Sequence, residues 1–566
     1  MGHDVDVLVI GAGPVGLTLA IALRRLDLRV RNVDRASGTN REPRADVVFP
    51  RAGEALGALG VGDAIRRESY QMAGASFYGD GRLLGEFEVG RFVSRYPRAM
   101  TIEQHDIERL LADNLNGLGV SVDWRTTATD VRGDDSGVQV PLRSADGGVD
   151  VVNAAWVVGC DGSRSMVRDR LGIPFEGSRR ENMQVIQGNV IPTWPLPDRP
   201  GHGYFFLAPY RSVIMFPTPN AGYRVFCVRD DPNPGHTEPP TLDELRDLVA
   251  AASGQPALTF TLTEPVWLSR ARFADRVAGG LRRGRVLLAG DAAHSWAPIG
   301  GHGMNVGMLG AHNLAWKLAA VHRGEATDAL LDTYESEQRA LALGVIRDMR
   351  FNVMELLLPP LAHRTRSALL RVGMPWSSFQ RRTEWMMSDF GRNHRRSPLS
   401  WPQPGRSGRS GPRAGDRMPD LTVIPADLDA PVEAAVAVLT PARAPAAGEA
   451  PGAVRSRPVT TGVAVGRPGR LHDVLRYDRW TVLLSTARAD PATLGRLRDI
   501  CGRAAAPMSV VPISVPVGED VRALGPSGNL TVVRPDGYVG LVAPLNRMDA
   551  LRDYIATFLP GSRRRT

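Results

Sequence analysis

Val5-Asp6-Val7-Leu8-Val9-Ile10-Gly11-Ala12-Gly13-Pro14-Val15-Gly16 opens the stretch that decides the fold, which runs on through Leu17–Leu26 and Arg29–Val33 to Asp34. Val5–Ile10 is a short, β-branched, nearly continuous apolar run, the mark of a parallel strand covered on both faces. Leu17–Leu26 has helical apolar spacing, and Arg29–Val33 reads as a second strand ending on an acid. The stretch is therefore a βαβ unit whose first turn is Gly11-x-Gly13-x-x-Gly16. In such a turn the first glycine bends the chain, the second admits a pyrophosphate to the backbone, and the third packs helix against strand. The helix N-terminus then faces the phosphates, and Asp34 can accept hydrogen bonds from an adenosine ribose. An ADP-containing cofactor follows, with FAD and NAD not yet distinguished.

The rest of the chain bounds the answer. It has 566 residues with 43% hydrophobic and 23% charged side chains, enough for three or four domains and a sizeable core. The net charge of +9 comes from 69 Lys+Arg, of which Lys317 is the single lysine, against 60 Asp+Glu interleaved with them. No basic stripe forms, so nucleic-acid binding is not expected. Cys160, Cys227 and Cys501 lie far apart without CxxC or metal-ligand spacing, which argues against disulfides and zinc and for a cytoplasmic location. Gly2 lacks the Ser or Thr that myristoylation needs, since Asp6 stands there, and Val5–Leu23 is broken by glycines and Pro14, so no membrane anchor is expected.

From Gln184 to Val277 the pattern changes to short alternating segments, among them Tyr204–Leu207, Val213–Phe216 and Arg224–Val228, which predict a mostly antiparallel sheet inserted into the first domain. Val286–Ala289 returns to a buried-type strand, followed by helices predicted over Met304–Val321 and Thr327–Met354. Residues 395–417, dense in Arg, Ser, Gly and Pro, read as a linker. Ala426–Pro458 is Ala/Pro-rich and predicted to pack loosely. Thr481–Ser485, Met508–Val515 and Leu530–Val533 then alternate with helical segments as in a small α/β domain.

Two further segments separate the cofactor alternatives. Val157-Val158-Gly159-Cys160-Asp161-Gly162-Ser163-Arg164-Ser165, with Val167-Arg168, resembles the DG motif of the class A flavoprotein monooxygenases, the para-hydroxybenzoate hydroxylase family. Val286-Leu287-Leu288-Ala289-Gly290-Asp291-Ala292-Ala293-His294, continuing through Pro298, Gly300, Gly301, Gly303, Met304 and Asn305, is similar to that family's GD motif. Tyr334-Glu335-Ser336-Glu337-Gln338-Arg339 resembles a helix of the same family. Ala414–Asp420 and Arg534–Tyr538 resemble its longer branch, which holds phenol hydroxylase and the aromatic polyketide hydroxylases.

The physics of the GD segment agrees: a strand delivers Asp291 to its carboxyl end, within reach of a ribityl hydroxyl, and Pro298 with the glycines leaves room for a planar ring. A helix starting near Gly303 would aim its positive end at the flavin. The resemblance implies an α/β fold: a split Rossmann-like FAD-binding domain over 1–178 and 278–394, an inserted substrate-binding sheet over 179–277, the linker, and a thioredoxin-like domain over 418–566. That last domain has only Cys501, so packing or oligomerisation, as monomer or homodimer, is its expected role. The implied cofactor contacts are Gly11, Gly13, Pro14, Val15, Gly16, Asp34, Arg35, Arg44, Gln104, Asp161, Gly290, Asp291, Pro298, Gly301, Gly303, Met304 and Asn305. Asp161 and Arg168 are equally suited to turn structure. Pro298 and His302 flank the reactive centre, although the chemistry belongs mainly to the flavin.

Two positions depart from the family's pattern: His302 stands where a glutamine is common, and Gly310 where an aspartate is. Gly310 costs ~1 kcal/mol in a helix interior, so packing or a ligand must need the space. His302 either titrates beside the ring or contributes its backbone alone. The implied reaction uses NADPH and O2 through a flavin C4a-hydroperoxide to hydroxylate a polycyclic aromatic, polyketide-type substrate, in an antibiotic pathway. The substrate would lie against Tyr204–Pro209, Val213–Pro217 and Trp296–Pro298. Baeyer-Villiger insertion is the alternative, and a pyridine-nucleotide dehydrogenase or non-oxygenase flavoprotein such as a halogenase the more distant one.

Overall fold

The computed structural model describes residues 2–40, 45–193, 199–219, 222–231, 233, 235–255, 257–263, 267–351, 357–401, 411–425, 468–485, 490–516, 524 and 528–560. Arg44 and Ala426–Pro458 lie outside the described residues. Strand β1 (Val5–Ile10), helix α1 (Pro14–Arg25) and strand β2 (Val30–Val33) form the expected unit, with β1 and β2 parallel and Ile10 opposite Val33. Pro14 opens α1, where its missing N–H costs nothing. On its other side β1 pairs in parallel with Val149–Gly159, which pairs in parallel with Val286–Leu288. This register places Ile10, Gly159 and Leu288 abreast. The three motif turns therefore leave one sheet at the same edge, the carboxyl edge where open α/β sheets bind ligands.

A second nine-stranded sheet contains the predicted segments as His202–Ala208, Arg211–Pro217 and Tyr223–Asp230, antiparallel to one another. It also takes Gly74–Gly79, parallel to His202–Ala208, and Arg82–Glu88. The sequence reading left those two strands within 1–178, because the pairing joins chain segments more than a hundred residues apart. Side chains alternate across this sheet. Phe205, Leu207, Ile214 and Phe216 pack with Val47, Phe49, Phe77 and Trp296 toward the first domain. Tyr204, Phe206, Val213 and Met215 pack beneath the helix Leu242–Ser253 on the far face.

The long helix His302–His322 packs on α1, and Ala329–Phe351 follows it. The last part of the chain is a six-stranded mixed sheet in which Trp480–Ser485 pairs in parallel with Met508–Ser514 and antiparallel with Asn529–Val533. Helices Pro491–Cys501 and Met548–Phe558 accompany it. The stretch read as a linker is not loose at its ends: the Trp401 amide donates to the Gly540 carbonyl at 2.9 Å, and His394 and Gly415 are joined by their backbones. Among the described residues, no helix is long and apolar enough to cross a membrane.

This sheet docks on the long helix through buried charge. Arg534 donates to Glu337 Oε1 and Oε2 at 2.6 and 3.0 Å and to Asp536 Oδ2 at 2.5 Å. Lys317 Nζ reaches Glu337 Oε2 at 2.7 Å, and Asn313 Nδ2 bridges Glu337 and Asp536. The four charged side chains are at most 1% exposed and sum to zero charge. Burial alone would raise the Asp536 carboxyl, but Arg534 outweighs it and brings it to about 2. Burial lowers Lys317 to about 8, against the pull of Glu337.

His294 is buried against Trp296, His312 against Tyr477 and His394 against Tyr538. Desolvation lowers His294 and His394 to about 4 and His312 to about 3. The unfolded chain then binds more protons than the folded one below the ordinary histidine value of 6.5, so stability is full above that value and falls toward pH 4. Urea unfolding at pH 5 is expected to lose about 2 kcal/mol per histidine relative to pH 7.5. An unchanged unfolding free energy across that interval would contradict the burial of neutral rings.

Candidate active site

The glycine loop is built as its spacing requires. Gly11 takes φ +109°, and a Cβ there would lie 2.3 Å from the Cys160 carbonyl oxygen, so the loop touches the DG turn directly. A Cβ on Gly16 would lie 2.0 Å from the Gly11 oxygen. Gly13 differs: no protein atom lies within 4 Å of where its Cβ would be. That is the open approach a diphosphate needs at the start of α1.

Val15 joins the loop to the GD turn. A Cβ on Gly290 would lie 3.0 Å, and one on Gly307 2.6 Å, from the Val15 side chain. Gly290 has φ +61°, and exposed Asp291 follows it in a single 3-10 turn. Gly300 and Gly301 both have positive φ, and Gly301 starts the long helix. Asn305 Nδ2 donates to the Val47 and Gly301 carbonyls, both at 2.9 Å, while its Oδ1 accepts from the Phe49 amide at 2.8 Å. Its side chain thus fastens Val47–Phe49 to the helix start. Met304 is partly buried beside it.

Other predicted residues work through backbone contacts. The Asp34 oxygens accept from the Ala12 amide at 2.7 Å and the Ala36 amide at 2.8 Å, clamping the glycine loop to β2. Gln104 Oε1 accepts from the Ala45 amide at 3.2 Å, and its Nε2 donates to Glu108 at 2.8 Å, holding Ala45, the residue after Arg44 in sequence. Asp161 Oδ2 accepts from the Val167 amide at 3.1 Å, capping the short helix Met166–Arg170, and burial raises its carboxyl above the ordinary value. Arg168 donates to the Ala292 and Ser163 carbonyls and stacks 4.0 Å from the Phe175 ring centroid, which ties the DG turn to the GD turn. Arg35 is exposed just beyond β2.

The two departures have different causes. A Cβ at Gly310 would lie 2.9 Å from Gln338 Oε1, so the space belongs to a packed glutamine. His302, the first residue of the long helix, turns Nδ1 to Asp389 Oδ1 at 3.0 Å, and its ring centroid lies 4.9 Å from that of Phe49. Asp389 has no counterpart in the sequence reading, because 87 positions and several elements separate it from His302. Lys317 is spent in the buried network with Glu337.

FAD fits this constellation: Gly13 leaves backbone open, Gly303 has only Trp296 Nε1 near its Cβ direction at 3.9 Å, and that buried indole N–H has no protein partner. Elsewhere, a cleft of about 410 Å³ between the first domain and the C-terminal sheet is lined by Arg25, Arg51, His312 and Tyr477. Glu54, Asp420 and His472 converge beside it, but Glu54 is held by Arg417 and Arg51 and Asp420 by the Arg95 and His472 amides. Guanidinium already occupies what a cation would use.

The FAD binding domain family matches residues 4–349. The chain belongs to the class A flavoprotein monooxygenases. Residues 522–563 match the phenol hydroxylase C-terminal dimerisation domain. This monooxygenase-family chain is 36% identical to 6-methylpretetramide 4-monooxygenase of Streptomyces rimosus over 59% of either protein. It is 30% identical to pentachlorophenol 4-monooxygenase of Sphingobium chlorophenolicum over 75% of this chain and 77% of that one. Its fold superposes on the anhydrotetracycline hydroxylase OxyS of Streptomyces rimosus with a TM-score of 0.72, at 27% identity over 98% of this chain and 99% of that structure.

Proposed function

We propose that the protein uses NADPH and O2 to hydroxylate a polycyclic aromatic substrate of polyketide type on FAD. The observation that carries this reading is the meeting of three motif turns at one sheet edge, opposite an apolar face formed by Phe205, Leu207, Ile214 and Phe216. FAD, when bound, supplies the redox and oxygen-activating chemistry. The chain supplies the rest. With FAD bound, Gly13 and the start of α1 would receive the diphosphate and Asp291 would take a ribityl hydroxyl, and the resemblance assigns Arg44 to the diphosphate oxygens. The start of the long helix directs its positive end at the negative charge of the reduced ring.

The phenylalanine face and Trp296 orient a flat apolar substrate and keep water away, which favours an aromatic ring over a small polar acid. The relatives' names, which include monooxygenases of pretetramide and anhydrotetracycline, support a fused-ring substrate. We read the C-terminal sheet as thioredoxin-like in architecture and without thiol chemistry, since Cys501 is buried and its thiol is pushed up to about 12. The match to a dimerisation domain supports a homodimer, and the three unpaired thiols a cytoplasmic one.

The test is an absorbance spectrum of purified protein, then NADPH oxidation with and without fused-ring phenols and quinones, with mass analysis of product. Bound FAD, substrate-accelerated NADPH use and a product one oxygen heavier are expected. A ring-expanded lactone would replace hydroxylation by Baeyer-Villiger insertion, and protein that cannot be loaded with FAD would sink the reading.

A further inference from the structure

His302 and Asp389 form a pair that neither the motifs nor the cofactor explain. His302 stands at the N-terminus of the long helix, where a cation meets the positive end of the helix dipole and is disfavoured. The Asp389 carboxylate lies against the ring there. Asp389 is fully buried and reaches the enclosed Nδ1 at 3.0 Å. It holds φ +59°, a left-handed conformation that aspartate tolerates better than most residues.

The turn after the helix Ser377–Met387 thus brings a carboxylate back against the start of a helix formed 87 residues earlier. Arg392 donates through Nε to the same Oδ1 at 3.1 Å and pairs with Asp348 at 3.2 Å, which fixes the carboxylate from behind. Asp389 Oδ2 is buried without a partner, so the group keeps unspent acceptor capacity. Burial works to raise this carboxyl, and the His302 ring and Arg392 outweigh it and hold it below the ordinary value.

The rest of the ring lies between Phe49 and Gly300. Phe49, which belongs to the apolar cluster with Trp296 and the phenylalanine face, covers one side. A Cβ at Gly300 would lie 3.1 Å from His302 Cδ2 and 3.3 Å from Nε2, so the glycine keeps that edge of the ring free of a side chain at this position.

We propose that Asp389 is a positioning residue: it holds the Nδ1–H of His302 inward and thereby presents Nε2, in the turn between the GD segment and the long helix, as an atom that takes and returns a proton. This rests on the flavin reading above. It differs from a role of His302 through its backbone alone, because such a role would be indifferent to Asp389.

The test uses full-length protein labelled with 15N-histidine, the His302 signals being those lost in His302→Gln. In flavin-free wild type, neutral His302 is expected as the Nδ1–H tautomer. Asp389→Asn keeps the size and tolerates the left-handed backbone, and it is expected to mix the two neutral tautomers of His302. In FAD-loaded protein, Asp389→Asn is expected to move the pH dependence of the bound-flavin absorbance. The same substitution made on His302→Gln is expected to move it no further, since the residue acts through the ring. An unchanged His302 tautomer in Asp389→Asn, or an equal effect of Asp389→Asn with and without the histidine, overturns the inference. Failure to take up FAD overturns the flavin reading and this inference with it, and the His302 tautomer in the flavin-free protein tells the two failures apart.

Discussion

Arg534→Ala is expected to lower the free energy of unfolding by about 3–5 kcal/mol, a large share of the stability of an ordinary protein. The guanidinium makes contacts to two carboxylates, Glu337 and Asp536, and all three groups are out of water. Removing it leaves two buried anions facing Lys317 alone, and desolvated charge without a partner is what makes such truncations severe. The loss should be visible in urea unfolding and as early protease cleavage that separates the C-terminal sheet from the rest. An exposed pair provides the control. Arg547→Ala, which breaks a contact with Asp549 between side chains that are 47% and 54% exposed, is expected to change stability by less than about 1 kcal/mol. If Arg534→Ala behaves like Arg547→Ala, the two parts of the molecule are not held together by this network.

The second large effect separates folding from cofactor binding within one loop. Gly13→Val is expected to leave the stability of the flavin-free protein within about 1 kcal/mol of wild type and to weaken FAD binding ~100-fold or more, equivalent to ~2.7 kcal/mol. The reason is local: Gly13 has φ −73°, open to any residue, and its Cβ direction is empty in the protein. Only the diphosphate would meet the new side chain. Gly16→Ala, three positions on, is expected to fail differently. Its Cβ would lie 2.0 Å from the Gly11 carbonyl oxygen, so strand and helix must move apart and the flavin-free protein itself should be destabilised. Titration of both proteins with FAD, beside their urea unfolding curves, checks the pair. Equal FAD affinity in Gly13→Val and wild type would remove the diphosphate from this loop.

The βαβ unit, the three motif turns and the strands at Tyr204–Leu207, Val213–Phe216 and Leu530–Val533 were legible because each is written in a short run of residues. Apolar runs, period-2 alternation and glycine spacing are local signals, and the backbone obeys them before any distant contact forms. The sequence by itself therefore determined that an ADP-containing cofactor has a loop to bind, and the order of the motifs determined which family the chain resembles.

What only the tertiary structure decided is how these pieces meet. The parallel register aligns Ile10, Gly159 and Leu288, which turns three separate motifs into one edge. Strand alternation selects Phe205 and Phe216 for the site while sending Tyr204 and Phe206 to the other face, a choice that depends on which layer covers each side. The glycine at 310 was visible as an oddity, but its reason, Gln338, lies on another helix. Asp389 beside His302 carries no sequence signal, and although Arg534–Asp536 and Glu337 lie in recognisable segments, nothing in the sequence pairs them with each other or with Lys317. Their partners are far apart along the chain, and burial, which gives these charges their strength, exists only once the domains have packed.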